Sequence, residues 1–188
     1  MIESSSLHSS SPEEPFENGL VQVFTGEGKG KTSAALGVVL RASGQGLKIF
    51  IVVFMKGDYP YGEWEVLSKF PNVKITLFGF RKFTDPSGPT SEEIEQAKRA
   101  LAAAREAMLS GSYDLVVMDE VNVAVSWKLV EVDEVVRLIR DKPADVELVL
   151  TGRYADGRVV ELADLVTECR KIKHPYDKGI KARRGIEY

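Results

Sequence analysis

The chain has 188 residues, 44% hydrophobic and 28% charged, the balance of a single folded domain large enough to bury a core. Its net charge of −3 gives no bulk attraction to nucleic acid, so no nucleic-acid partner is expected. The longest uncharged apolar run, Ile49–Met55, is far short of a membrane span, and the lone cysteine, Cys169, excludes an intrachain disulfide or a multi-cysteine metal site. No membrane partner is expected.

Charge is unevenly spread. Residues 1–11 contain six serines, Pro12 and Pro15 follow, and no Lys or Arg precedes Lys29. Residues 1–18 therefore read as a flexible acidic leader, too poor in apolar surface to offset its ordering entropy, ahead of one domain over 19–188. It has neither the basic start nor the apolar middle of a signal peptide. From Arg170 to Arg184 the chain is instead strongly basic, with seven basic residues against one acid, Asp177.

Between these ends, Leu20–Phe24 reads as a short strand running into a glycine-rich loop. Lys31–Ser43 has helical apolar spacing, with Gly44 as its stop. Leu47–Phe54 is β-branched and aromatic, a buried strand. Val73–Phe78 is a weaker strand. Thr90–Leu109 is the clearest helix, with Thr90 and Glu93 at capping-box spacing and Ile94, Ala97, Leu101 and Met108 along one stripe. Strands over Asp114–Met118 and Val146–Thr151 alternate with helices over Val132–Arg140 and Val159–Ala163. Apolar strands alternating with helices predict a three-layer α/β fold: a mostly parallel sheet covered on both faces, with ligands beyond the carboxyl ends of its strands.

At the end of the first strand stands Thr25-Gly26-Glu27-Gly28-Lys29-Gly30-Lys31-Thr32. Glycines let backbone N–H groups turn inward, and the following helix presents its positive end to an anion. Lys31 can reach a terminal phosphate and the Thr32 hydroxyl can ligate magnesium; only the first glycine of GxxxxGK[ST] is missing, replaced by Thr25. Such a loop needs an acid from a second strand end, and Asp114–Met118 delivers Asp119 and Glu120 there. Spacing does not choose between these two carboxylates for the metal. The residues thus describe a P-loop NTPase-like (RecA-type) nucleotide-binding domain, and not yet a reaction.

Four stretches carry a resemblance to the P-loop type corrinoid adenosyltransferases of cobalamin synthesis and salvage. They are the loop Thr25–Thr32, then Val53-Phe54-Met55-Lys56-Gly57, then Val117-Met118-Asp119-Glu120-Val121-Asn122, and the tail Lys173–Ala182 with Gly185-Ile186-Glu187-Tyr188. Thr151-Gly152-Arg153 fits as well, so the match spans residues 19–188. The resemblance implies attack of reduced Co(I) of a corrinoid on the 5′ carbon of ATP, with triphosphate leaving. Cobalt is then the nucleophile, and the protein's part is to position two substrates and stabilise departing charge.

Carried onto this chain, the resemblance gives the triphosphate to Gly26, Glu27, Gly28, Lys29, Gly30, Lys31 and Thr32. It makes Lys31 and Glu120 catalytic and assigns magnesium (or manganese) to Thr32 with Glu120, Asp119 standing beside them. It further implies a cytoplasmic homodimer supplied with electrons by a flavoprotein. One stretch departs from the pattern. The family carries Gly-Phe-Thr-Trp after the third strand, two aromatics that crowd the lower face of the corrinoid. Here the stretch is Gly79-Phe80-Arg81-Lys82-Phe83, so Phe80 matches while Lys82 stands in place of tryptophan. Either Phe83 substitutes for the tryptophan from a shifted loop, or the lower ligand is removed differently. Phe78, by contrast, reads as core. Trp64 and Trp127 read as packing, Cys169 as a small buried residue, and His174 as a structural hydrogen-bonding group. An ordinary ATPase or kinase cleaving the terminal phosphate is the alternative the loop and acids also allow.

Overall fold

The structure is a computed structural model that describes residues 18–57, 60–81 and 84–188. The leader expected over residues 1–18 thus lies, but for Asn18, outside the described residues, as do Lys82 and Phe83. The elements run β1 (Val21–Thr25), α1 (Lys31–Gly44), β2 (Ile49–Val53), α2 (Gly62–Leu67), β3 (Val73–Leu77), α3 (Ser91–Leu109), β4 (Leu115–Asp119), α4 (Val121–Ser126), α5 (Val132–Arg140), β5 (Glu147–Thr151), α6 (Gly157–Leu162) and β6 (Leu165–Glu168), with a 3-10 turn at Pro175–Lys178.

Six strands form one sheet in the order β3-β2-β4-β5-β1-β6, and every pairing is parallel. β2, β4 and β5 are buried along their whole length, as nearly continuous apolar runs require in a sheet covered on both faces. The pleat sorts their side chains into two cores. Phe50, Val52, Val116, Met118, Leu148 and Leu150 point toward α3, α4, α5 and α6. Ile49, Ile51, Val53, Leu115, Val117 and Val149 point toward α1 and α2. The expected three-layer architecture is therefore present.

Local chemistry explains the elements that position the site. Thr90 caps α3 in a capping box: its side chain accepts from the Glu93 N–H while the Glu93 carboxylate accepts from the Thr90 N–H. Its small stripe, Ala97, Ala100, Ala104 and Ala107, lets the helix lie close on β2 and β4. Truncating a larger member such as the fully buried Met108 would cost about 2–5 kcal/mol. The stop of α1 differs from the expectation. Gly44 is the last helical residue, and it is Gly46, at φ 81°, that takes the left-handed turn. Three further elements, α2, α4 and β6, lie where no element was expected. Both tryptophans pack as expected, on opposite faces of the sheet: Trp64, on α2, in the core under α1 and α2, and Trp127, after α4, partly buried against the core under α3–α6.

Candidate functional site

β1 breaks at Thr25, and Gly26 and Gly30, at φ 96° and 123°, reverse the chain before α1 begins. Space also requires glycine. A Cβ on Gly26 would stand 2.6 Å from the Cys169 carbonyl oxygen, and one on Gly28 2.7 Å from the backbone of Arg170. The segment after β6 is hydrogen-bonded to the loop, the Gly28 N–H donating to the Cys169 carbonyl (2.6 Å) and the Cys169 N–H to the Thr25 carbonyl (2.8 Å). Cys169 is half-buried against the glycine-rich loop rather than in the core, because edge strand β6 delivers it there.

Lys31 is buried at the start of α1, its ammonium donating to the carbonyls of Gly26 (2.8 Å) and Gly28 (2.7 Å). Burial pulls its pKa below the ordinary value, Arg153 adds to that pull, and Glu120, Cys169 and Asp119 oppose it. Its charge thus sits inside the loop that an anion would occupy. Glu27 is exposed, and Lys29 points to the C-terminus, donating to the Ile186 carbonyl (3.1 Å) and the Glu187 carboxylate (2.9 Å). Glu187 also receives the Arg183 guanidinium, and these contacts hold its carboxyl well below the usual range.

The acids stand one strand away. Because β5 lies between β1 and β4, Thr151 at the end of β5 bridges the two. Asp119, 1% exposed, accepts on Oδ1 from the Thr32 hydroxyl (2.9 Å) and the Thr151 hydroxyl (2.7 Å), and on Oδ2 from the Lys56 ammonium (2.7 Å). The Thr151 hydroxyl oxygen in turn accepts from the Glu120 N–H at 3.0 Å. Glu120 sits at φ 65°, left-handed for a residue with a side chain, with one oxygen 3.6 Å from Lys56. Burial pushes its carboxyl above the ordinary 4.5, an effect reinforced by Asp119 and opposed by Lys56 and Lys31. The expected loop, Thr32, Asp119 and Glu120 are therefore brought together. Their arrangement distinguishes the two acids: Asp119 is fully engaged by hydroxyls and Lys56, while Glu120 is the more exposed.

Lys56 was not among the expected site residues. Burial would lower its pKa, but Asp119 and Glu120 outweigh it and hold the ammonium above its ordinary 10.5. Its only sequence signal was membership in the Val53–Gly57 stretch.

Of the aromatic residues after β3, Phe78 packs partly against the core as expected, and Phe80 is 38% exposed at the rim rather than packed. Phe83 lies outside the described residues. His174 forms the structural bond expected, its Nδ1 accepting from the Tyr176 N–H at 3.2 Å. Among the described residues no group of three or more His, Cys, Asp or Glu side chains is placed to hold a metal, and no helix is long and apolar enough to cross a membrane.

Comparison with known proteins gives a consistent result. The cytoplasmic domain of EssC superposes with a TM-score of 0.54 at 13% identity, covering 89% of this chain and 34% of that chain, a likeness of fold alone. A corrinoid adenosyltransferase of Escherichia coli (strain K12) is 37% identical over 177 residues, covering 92% of this chain and 87% of that protein. One of Pseudomonas aeruginosa is 38% identical over 173 residues, covering 92% and 85%. The family model described as ATP:corrinoid adenosyltransferase BtuR/CobO/CobP matches residues 17–188. The chain thus belongs to the ATP:corrinoid adenosyltransferases, a family of enzymes.

Proposed function

We propose that this enzyme transfers the 5′-deoxyadenosyl group of ATP to the cobalt of a reduced Co(I) corrinoid, forming adenosylcobalamin or an adenosylated precursor and releasing triphosphate. The observation that carries the reading is the Lys31 ammonium held on the loop's own carbonyls, beside Thr32 and its carboxylate partner, at the carboxyl end of a parallel sheet. Entering phosphate oxygens replace the Gly26 and Gly28 carbonyls as acceptors for Lys31, and loop amides of Gly26–Thr32 other than that of Gly28, which donates to Cys169, complete the cradle. As carbon–oxygen cleavage places charge on the departing triphosphate, Lys31 neutralises it without reorganisation. Cobalt brings the electron pair, so no side chain need act as general base.

The Thr32 hydroxyl and the Glu120 and Asp119 carboxylates are an all-oxygen donor set suited to a hard cation such as Mg2+ or Mn2+. In this reading Thr32 and Glu120 hold it, with Asp119 behind them. The ion would act as a Lewis acid on the triphosphate oxygens. In this reading Phe80, at the rim beside Gly79, and Phe83 are the aromatic residues assigned to the corrinoid. The same reading makes residues 19–188 the catalytic unit of a cytoplasmic homodimer that takes electrons from a flavoprotein.

Anaerobic incubation with ATP, magnesium and chemically reduced cobalamin is expected to yield light-sensitive adenosylcobalamin and intact triphosphate. ADP and phosphate without a cobalt–carbon product would instead identify an ordinary phosphatase-type ATPase and overturn the reading.

A further inference from the structure

Two adjacent carboxylates at a strand end are, by their charge, a place where a free divalent ion could settle. In this protein a side chain already stands there. The Lys56 ammonium is 2.7 Å from Asp119 Oδ2 and 3.6 Å from Glu120 Oε1, and it lies 5.2 Å from the centroid of the Tyr61 ring. The other oxygen of Asp119 is taken by Thr32 and Thr151 hydroxyls, so neither oxygen of that carboxylate is free of a donor.

The backbone is shaped to put Lys56 there. Met55, immediately before it, is held at φ 62°, and Glu120, which follows the paired strand, is held at φ 65°. A residue with a side chain adopts that conformation only where its surroundings impose it. The turn after β2 is clamped against the turn after β3. A Cβ on Gly57 would come within 2.7 Å of the Gly79 carbonyl oxygen, and one on Gly79 within 2.7 Å of the Met55 Cα. The Lys56 and Gly57 N–H groups both point to the Phe78 carbonyl, at 3.1 and 3.3 Å. The Lys56 backbone is therefore fixed beside the two acids, within reach of its ammonium.

We propose that Lys56 is a resident cation that keeps the Asp119–Glu120 pair from taking up a free divalent ion, so that metal enters this site together with the nucleotide. It is a positioning residue for the reaction, resting on the magnesium-assisted reading above. A divalent ion arriving alone meets the repulsion of the ammonium and finds one carboxylate fully occupied. An ion arriving on a triphosphate carries its own oxygen ligands and compensating negative charge, and needs from the protein only the Thr32 hydroxyl and Glu120. Order of addition is thereby built into the fold.

The test uses Mn2+ as the probe, followed by the electron paramagnetic resonance signal of the free ion. It is titrated into the full chain alone; with ATP, protein-bound Mn2+ is separated from free Mn2+–ATP by ultrafiltration and counted. Wild type is expected to bind free Mn2+ far more weakly than it binds Mn2+ with ATP. The neutral variants Lys56→Met and Lys56→Gln, checked for a cooperative thermal transition, should bind free Mn2+ about tenfold or more tightly than wild type. Lys56→Arg, which keeps the charge, should stay close to wild type. Neutral variants that bind free Mn2+ no more tightly than wild type would overturn the proposal. So would wild type binding free Mn2+ as tightly as Mn2+ with ATP, a measurement that needs no variant to fold. Failure of wild type to take up Mn2+ with ATP at all would overturn the metal–nucleotide reading, whereas normal Mn2+–ATP uptake with unchanged free-ion binding in the variants sinks only the role of Lys56.

Discussion

Three lysines, one at one end of the sheet and two at the other, show how one kind of charge can serve two ends. At the amino edge, Lys142 donates to the carbonyls of Gly19 (2.6 Å), Pro143 (2.9 Å) and Val146 (2.8 Å), and so ties the chain's entry into β1 to its entry into β5. Glu147 completes that edge by accepting from the Leu20 N–H. All three ammonium donors are matched by neutral backbone, a closed arrangement with no capacity left over. At the carboxyl edge, Lys56 meets two carboxylates, and Lys31 donates to carbonyls of a glycine loop that an entering anion can replace. The first arrangement holds the sheet together. The second leaves charges that a ligand can rearrange.

Substitutions can break this contrast. The largest expected effect is Lys31→Ala, which should slow adenosyl transfer roughly ten- to hundredfold through loss of a charge-assisted contact to the triphosphate. Steady-state kinetics at saturating ATP would read the loss, while the unfolding midpoint stays near that of wild type. Thr151→Val removes the bridge to both Asp119 and the Glu120 N–H and should cost about 1–2 kcal/mol in denaturant unfolding, with activity falling as well. Lys142→Met should cost about 1 kcal/mol and leave kcat/KM unchanged, separating the two ends of the sheet.

Lys142 also carries a pH signature. Burial lowers its pKa below the ordinary 10.5, against the pull of Glu147, Asp164 and Asp145. The folded state then binds that proton less tightly than the unfolded chain. This penalty is fully present below the lowered pKa and fades as pH rises toward 10.5, so the group's contribution to stability increases across that alkaline window. Urea unfolding as a function of pH should lose this component in Lys142→Met. The smallest effect is expected for Glu187→Gln, an exposed partner of Lys29, whose replacement should not measurably move the unfolding midpoint.

The elements around this site differed in how plainly the sequence announced them. α3 was visible end to end because its cap, acidic start and apolar stripe agree. The glycine-rich loop and the Asp119-Glu120 pair were visible because glycine, lysine and carboxylate occur at spacings set by backbone geometry. α4 was not, since Val121-Asn122-Val123-Ala124-Val125-Ser126 is rich in β-branched residues and continues the apolar run of β4; the left-handed Glu120 makes the break. β6 is four residues, all exposed, at the sheet edge, so no buried face marks it. α2 is a single short turn and a half, below the length at which periodicity can be read. Lys56 escaped for a different reason. Its partner is 63 residues away, and a pairing made only by the order of strands leaves no local trace.

The placement of β5 between the loop strand and the acidic strand has a last consequence, for how the molecule unfolds. Thr32, Thr151 and Asp119 are linked across elements belonging to three adjacent strands, so this hydrogen-bonded corner cannot open by fraying one edge of the sheet. β4 and β5 are buried along their whole length inside the sheet, so their backbone amides should exchange only through global unfolding. On heating, the Thr32–Thr151–Asp119 corner and the sheet should then disappear in one transition. The exposed β6 edge and the C-terminal turns can loosen earlier, and their loosening would be the first sign of stress seen by amide exchange.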